Sequence, residues 1–133
     1  MVLDASVTMS WFLDDEKDSR AGVAQSRLTK DRALVPHLWH LEIRNCLIVA
    51  ERRGHISAER VTECLEALKW LPIQTDTELN LASAFSLAQT HSLSFYDAVY
   101  LELAKRQDAA LATLDAALVR AAKAEGLSLV EAM

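Results

Sequence analysis

The sequence predicts an α/β fold: a three-layer α/β/α sandwich around a central parallel sheet of about five short strands. Short apolar runs of three to five residues alternate with longer stretches of helical periodicity. The runs are apolar throughout rather than alternating with polar residues, as strands covered on both faces must be. Pro and Gly are scarce, two and three among 133 residues, which leaves mostly regular structure with short connections. A chain of this length, 51% hydrophobic, is expected to form one domain over 1–133 with a real core.

Each element follows from local chemistry. MVLD (1–4) reads as a strand stopped by an acid, and 6–13 as a short helix. Residues 16–30 form a polar, weakly patterned helix, preceded by acids (Asp14, Asp15, Glu16, with Asp18) expected on a solvated surface. ALV (33–35) is a second strand, ended where Pro36 removes a donor. LWHLEIRNCLIVAERR (38–53) is a helix closed by Gly54. Ser57 suits the N-cap of the next helix, whose core stripe is Val61, Cys64, Leu65 and Leu68. LPIQT (71–75) is the third strand. A Thr75–Glu78 capping box, enclosing Asp76, then opens a helix over 77–91 with Leu81, Phe85 and Ala88 on its apolar side. Another helix covers 95–107, ALAT (110–113) is the fourth strand, 116–125 is a helix ending at Gly126, and LSLV (127–130) is the fifth strand.

Composition excludes several roles. A net charge of −5 argues against a constitutive nucleic-acid binder, whose surface is usually basic. No apolar run approaches the roughly 20 residues of a membrane span. Asp4 sits where a signal peptide requires Lys or Arg, so a cytoplasmic protein is expected. Cys46 and Cys64 fall in apolar stripes and are expected as reduced core residues. His37 and His40 make an HxxH, but on a regular helix His40 points away from Glu42, which argues against zinc.

Four acids stand out. Asp4 and Asp115 each follow an apolar strand, and in parallel sheets ligands bind outside the carboxyl ends of the strands. The ordinary role of such an Asp is to cap the next helix. Asp97, in SLSFYDAVYLELA, fits a capping box opened by Ser94, yet round its helix it lies among Tyr96, Val99, Tyr100, Leu101, Leu103 and Ala104, while Glu102 and Arg106 face away. Glu42 is beyond the reach of a cap. At about 100° per residue it falls inside the arc of Leu38, Trp39, Ile43, Cys46, Val49 and Ala50. A lone buried carboxylate costs several kcal/mol or takes up a proton. Four carboxylates meeting at one sheet edge would repel. Hard divalent cations with oxygen ligands relieve that repulsion, and Mg²⁺ takes one or two carboxylates while keeping waters for a phosphate.

At these residues the chain resembles the PIN-domain ribonucleases, most closely the VapC-type toxins. The resemblance rests on VLDASV, VPHLWHLEIRNCL, SLSFYDAVYLELA and LATLDAALVRAA, in that order, and covers essentially the whole chain. It implies a Mg²⁺- or Mn²⁺-dependent endoribonuclease with Asp4, Glu42, Asp97 and Asp115 as the catalytic, metal-holding set, and Thr113 and Ser6 as secondary residues. It also implies a cognate VapB-like antitoxin and a homodimer. Asn45, one turn after Glu42, is a candidate for the pocket rim. Arg52, Arg53 and Lys105 are candidate contacts to the RNA backbone, although solvated surface is their ordinary role. Other families fit less well: a DxD phosphatase needs an acid where Ser6 stands, and there is no GxGxxG or GK[ST]. The competing reading from another class is a non-catalytic binding module whose acids cap helices or pair with Arg.

Overall fold

A computed structural model of the chain describes residues 1–13 and 18–131. Its centre is a four-stranded parallel sheet of β1 (Val2–Leu3), β2 (Ala33–Pro36), β3 (Ile73–Asp76) and β4 (Leu111–Ala112), in the order β3-β2-β1-β4. The expected fifth strand shrinks to one parallel bridge, Leu111 to Leu129, beside β4. Two backbone bonds, Leu111 N–H to the Ser128 carbonyl and Val130 N–H to that of Leu111, hold it there.

Among the described residues seven helices cover the sheet. They are α1 (Ala5–Phe12), α2 (Ser19–Arg27), α3 (His37–Arg52), α4 (Ala58–Leu68), α5 (Leu81–His91), α6 (Phe95–Gln107) and α7 (Ala116–Ala124). One group packs α1 against α2 and α3, with α4 on α3; the other packs α5 and α7 on α6. The core between them contains Val2, Leu3, Val35, Trp39, Ile43, Leu47, Tyr100, Leu101, Leu103, Leu111 and Leu118. Burying each large apolar side chain contributes about 1.5–3 kcal/mol, which explains why β1, β2 and β4 are apolar along their length, whereas β3 at the sheet edge carries exposed Gln74 and Thr75.

Several local expectations change. α2 starts at Ser19 with Asp18 as its side-chain cap; the expected start at residue 16 and the acids Asp14, Asp15 and Glu16 lie outside the described residues. Gly54 does take the left-handed conformation (φ +73°) just past α3, and Ser57 caps α4 through the Arg60 N–H. α5, however, begins at Leu81 rather than 77, with Asn80 as its cap. Asp76 is therefore not part of a capping box. It ends β3, and its carboxylate binds Arg106.

Three faces are misplaced by periodicity alone. On α3 the buried residues are Trp39, Ile43, Leu47 and Ala50, so the buried arc is turned away from Cys46, which is exposed. Glu42 consequently sits at the flank of that face, half-buried, and not in its middle. On α5 only Ala84 is buried, and Leu81 and Phe85 point outward. On α6 Glu102 is buried instead of facing away, and Tyr96 is exposed. Leu65 of α4 is likewise exposed, while Cys64 and Leu68 are buried as expected.

Candidate metal centre

The chain runs outward from β1 to β2 and β3, then returns to place β4 on the other side of β1. The crevice at the carboxyl ends of β1 and β4 is thus the topological switch point, where open parallel sheets bind their ligands. Asp4 follows β1 and Asp115 follows β4, so two of the four acids flank it.

Asp4 is buried, with 6% of its surface exposed. It occupies the N-cap position of α1, yet its carboxylate makes no capping bond. Instead its Oδ2 accepts the hydroxyls of Ser6 (2.7 Å) and Thr113 (2.7 Å), which leaves Oδ1 without a side-chain donor among the described residues. Those hydroxyls are themselves fixed, since Ser6 Oγ accepts the Leu114 N–H and Thr113 Oγ1 accepts the Asp115 N–H. The segments after β1 and β4 are stitched together through one carboxylate oxygen. Ser6 and Thr113, expected as secondary residues, both donate to Asp4 and hold that carboxylate oxygen in place.

The remaining acids approach from helices. Asp97 is in the first turn of α6; its backbone N–H donates to Ser94 Oγ, giving half of the capping box, and among the described residues its carboxylate makes no return bond. Asp115 does cap, its Oδ1 accepting the Leu118 N–H at 2.9 Å. Glu42 accepts at Oε1 the phenol O–H of Tyr100, 2.5 Å away. Sequence periodicity treats Tyr100 as apolar filling. A fully buried Tyr, however, needs a partner for its O–H, and that requirement was the signal available.

The four acids share one electrostatic neighbourhood. Burial raises the Asp4 carboxyl above the usual carboxylate range against the pull of its hydroxyl donors, with Asp115 adding repulsion. Burial also raises Glu42, and nearby Asp4 and Asp97 push it further. Asp97 is raised by burial and then by Asp115 and Asp4. None of the four pairs with Arg or Lys among the described residues. The cations go elsewhere: Arg106 to Asp76 and Glu102, Lys105 to Glu125.

The donor set fits a hard divalent cation: carboxylates only, with Asp4, Glu42 and Asp97 raised by burial and by neighbouring acids, and no Arg or Lys counter-charge among the described residues. Among the described residues no three His, Cys, Asp or Glu side chains converge closely enough to enclose an ion. His40 is hydrogen-bonded to Thr75 Oγ1 at 2.8 Å and takes no part.

The other candidates lie further off. Asn45 is exposed on α3 and makes no hydrogen bond to the acids. Arg52 and Arg53 close α3 at its far end, about 15 Å along the axis from Glu42. Lys105 is in the last turn of α6, about 12 Å along from Asp97, and is held by Glu125 Oε1 at 2.6 Å. A roomy recess of about 450 Å³ between α5 and α6, lined by Asn80, Ser83, Glu102 and Lys105, lies away from all four acids.

Comparison with known proteins agrees with this geometry. The PIN domain family model matches residues 1–124. The chain is 32% identical over 119 residues to ribonuclease VapC3 of Pyrobaculum aerophilum, covering 86% of this chain and 88% of that protein. It is 30% identical over 105 residues to ribonuclease VapC1 of Mycobacterium tuberculosis, covering 79% of each. Two crystal structures share the fold. PAE2754 from Pyrobaculum aerophilum superposes with a TM-score of 0.65 at 19% identity, over 90% of this chain and 82% of that one. Mycobacterium tuberculosis VapC20, a toxin that cleaves the sarcin-ricin loop, superposes with a TM-score of 0.62 at 12% identity, over 98% of each. With a family match running from β1 through α7 and acids placed at the switch point of the expected sheet, this chain belongs to the PIN domain family.

Proposed function

We propose that the chain is a metal-dependent endoribonuclease, the toxin of a toxin–antitoxin pair, with Asp4, Glu42, Asp97 and Asp115 as its active-site acids. The observation that carries this reading is Asp4: buried, at a helix cap position without capping, held on one oxygen by two hydroxyls and flanked by acids rather than by cations. Relatives called ribonuclease VapC support the reaction class.

Asp4, with Asp97 and Asp115 acting directly or through water, would hold a Mg²⁺ or Mn²⁺ ion, which would supply Lewis acidity toward water and phosphate. Ser6 and Thr113 keep Asp4 from rotating. Tyr100 fixes one oxygen of Glu42, and the other, on a group whose proton affinity is raised, would accept a proton from the attacking water. Cleavage then leaves a 5′-phosphate and a 3′-hydroxyl, with no covalent intermediate. Arg52, Arg53 and Lys105 would touch RNA only well away from the cut, and Asn45 sits at the outer rim. A VapB-like antitoxin and a second copy of the chain complete the assembly. No helix among the described residues is long and apolar enough to cross a membrane.

Thermal melting with and without Mn²⁺ tests the centre. At about 100 times the dissociation constant the ion should add roughly 2.7 kcal/mol, about 10 °C for a domain of this size. Asp4→Asn should abolish that shift, and with it Mg²⁺-dependent cleavage of total RNA, while the variant keeps a cooperative transition. A folded Asp4→Asn protein that cuts RNA normally refutes the assignment. A wild type without any metal shift favours the binding module.

A further inference from the structure

A recess of about 300 Å³ opens at the carboxyl ends of β2 and β3, lined by none of the four site acids and not assigned by the reaction. Its walls include Leu38, Leu79, Tyr96, Val99 and the Asp76–Arg106 pair. We propose that it is a nucleobase subsite, holding the unstacked base next to the scissile phosphate. The inference rests on the ribonuclease reading above and names a specificity element of that same site.

Position is the first argument. Leu38 and Glu42 are four residues apart on α3, and Tyr96 and Tyr100 are four apart on α6, so within each pair both side chains lie on the same side of the helix. Tyr100 meets Glu42 across the two helices. Leu38 and Tyr96, one turn back on each, wall the recess. About 6 Å of helix axis thus separates the recess from the acid site, along the same sheet edge.

Chemistry is the second. Arg106 spends its edges inside the protein: Nε and Nη2 donate to Glu102 at 2.8 and 3.0 Å, Nη1 and Nη2 to Asp76 at 2.9 and 2.7 Å. What such a guanidinium can still offer a ligand is its flat face. Two carboxylates over-neutralise it, which disfavours a phosphate in the recess. A flat, neutral ring fits this wall. Tyr96 supplies a second flat surface, exposed at 61%. Proteins that select among single-stranded RNAs stack splayed bases on aromatic rings and guanidinium planes in this manner. The volume is at the lower end for ligand pockets, suited to one ring system rather than to a helix.

The test uses the full chain, Tyr96→Ala and Tyr96→Phe, with two readouts. The first maps cuts on oligoribonucleotides randomised around the cleavage site. The wild type and Tyr96→Phe should share a base preference beside the cut, and Tyr96→Ala should lose it and raise KM roughly tenfold. The second follows, without metal, the quenching of 2-aminopurine in an oligoribonucleotide. Wild type and Tyr96→Phe should quench it and Tyr96→Ala should not. If the wild type cuts no RNA, the ribonuclease reading fails, and the quenching assay still decides the recess. Equal preference and equal quenching in Tyr96→Ala overturn the subsite. So does a Tyr96→Ala protein whose molecular mass in solution changes while both RNA readouts stay as in the wild type, because the recess then belongs to a contact between copies.

Discussion

Glu42 shows how a single side chain carries both the legible and the illegible part of the site. Its presence on an apolar arc is visible in the sequence; its partner is not, because Tyr100 lies 58 residues away and periodicity gives no register between helices. The same gap hides Arg106, which pattern places on the solvent side although it is only partly exposed and holds its buried i, i+4 neighbour Glu102. Burial and the charges of Asp4 and Asp97 raise Glu42 above its ordinary range, outweighing the Tyr100 hydrogen bond that lowers it. The folded, metal-free protein therefore binds this proton more tightly than the unfolded chain. Its stabilising contribution is present below the ordinary Glu value near 4.5 and is lost as pH rises through the raised one. Glu42→Gln stays neutral and keeps an oxygen for Tyr100. In chelator at pH 7 it should melt higher than wild type, with each kcal/mol worth about 4 °C, and the difference should vanish near pH 4. A variant that melts lower at pH 7 means that the carboxylate is structurally paired.

At the scale of elements, helix and strand identity is legible because period and punctuation agree: Ser57, Ser94, Gly54 and Gly126 all act where they stand. Element ends are less so. LSLV lies beside β4, itself only two residues long, and contributes one bridge, and α5 waits for Asn80 although Thr75 to Glu78 spells a capping box. Asp115 carries both ambiguities of such positions, since it caps α7 and also stands at the switch point. Two substitutions separate the roles. Ser accepts the Leu118 N–H and keeps the cap, whereas Ala loses it at a cost of about 1 kcal/mol. In metal-free melts Asp115→Ser should stay close to wild type and Asp115→Ala should fall by about 4 °C. Both should lose the Mn²⁺ shift and RNA cleavage, because neither retains a carboxylate. Asp115→Ser protein that keeps the metal shift and its activity reduces Asp115 to a cap.

For the whole molecule, the sheet order leaves β3 at an edge with its polar residues exposed, and α5, packed on α6, turns Leu81 and Phe85 outward while Ala88 meets the core. Leu81 and Phe85, one turn apart, are 64% and 57% exposed. The i, i+4, i+7 spacing of Leu81, Phe85 and Ala88 reads identically whether the stripe meets the chain's own core or another surface, which is why sequence assigns it inward. Apolar residues repeated along one exposed helix face differ from the scattered ones normal on monomers, and they match the proposed homodimer. In a monomer both side chains are solvated, so charging them should move stability by no more than about 0.5 kcal/mol each. In a dimer built on α5, the same change places four carboxylates in a desolvated interface and should disrupt it. Light scattering coupled to size exclusion should therefore give a two-chain particle for the wild type and a 14.8 kDa monomer for the double variant Leu81→Glu, Phe85→Glu. Its Mn²⁺ shift should survive, because neither residue touches the acids. A wild type that is monomeric at tens of micromolar, or a double variant that stays dimeric, removes α5 as the self-contact.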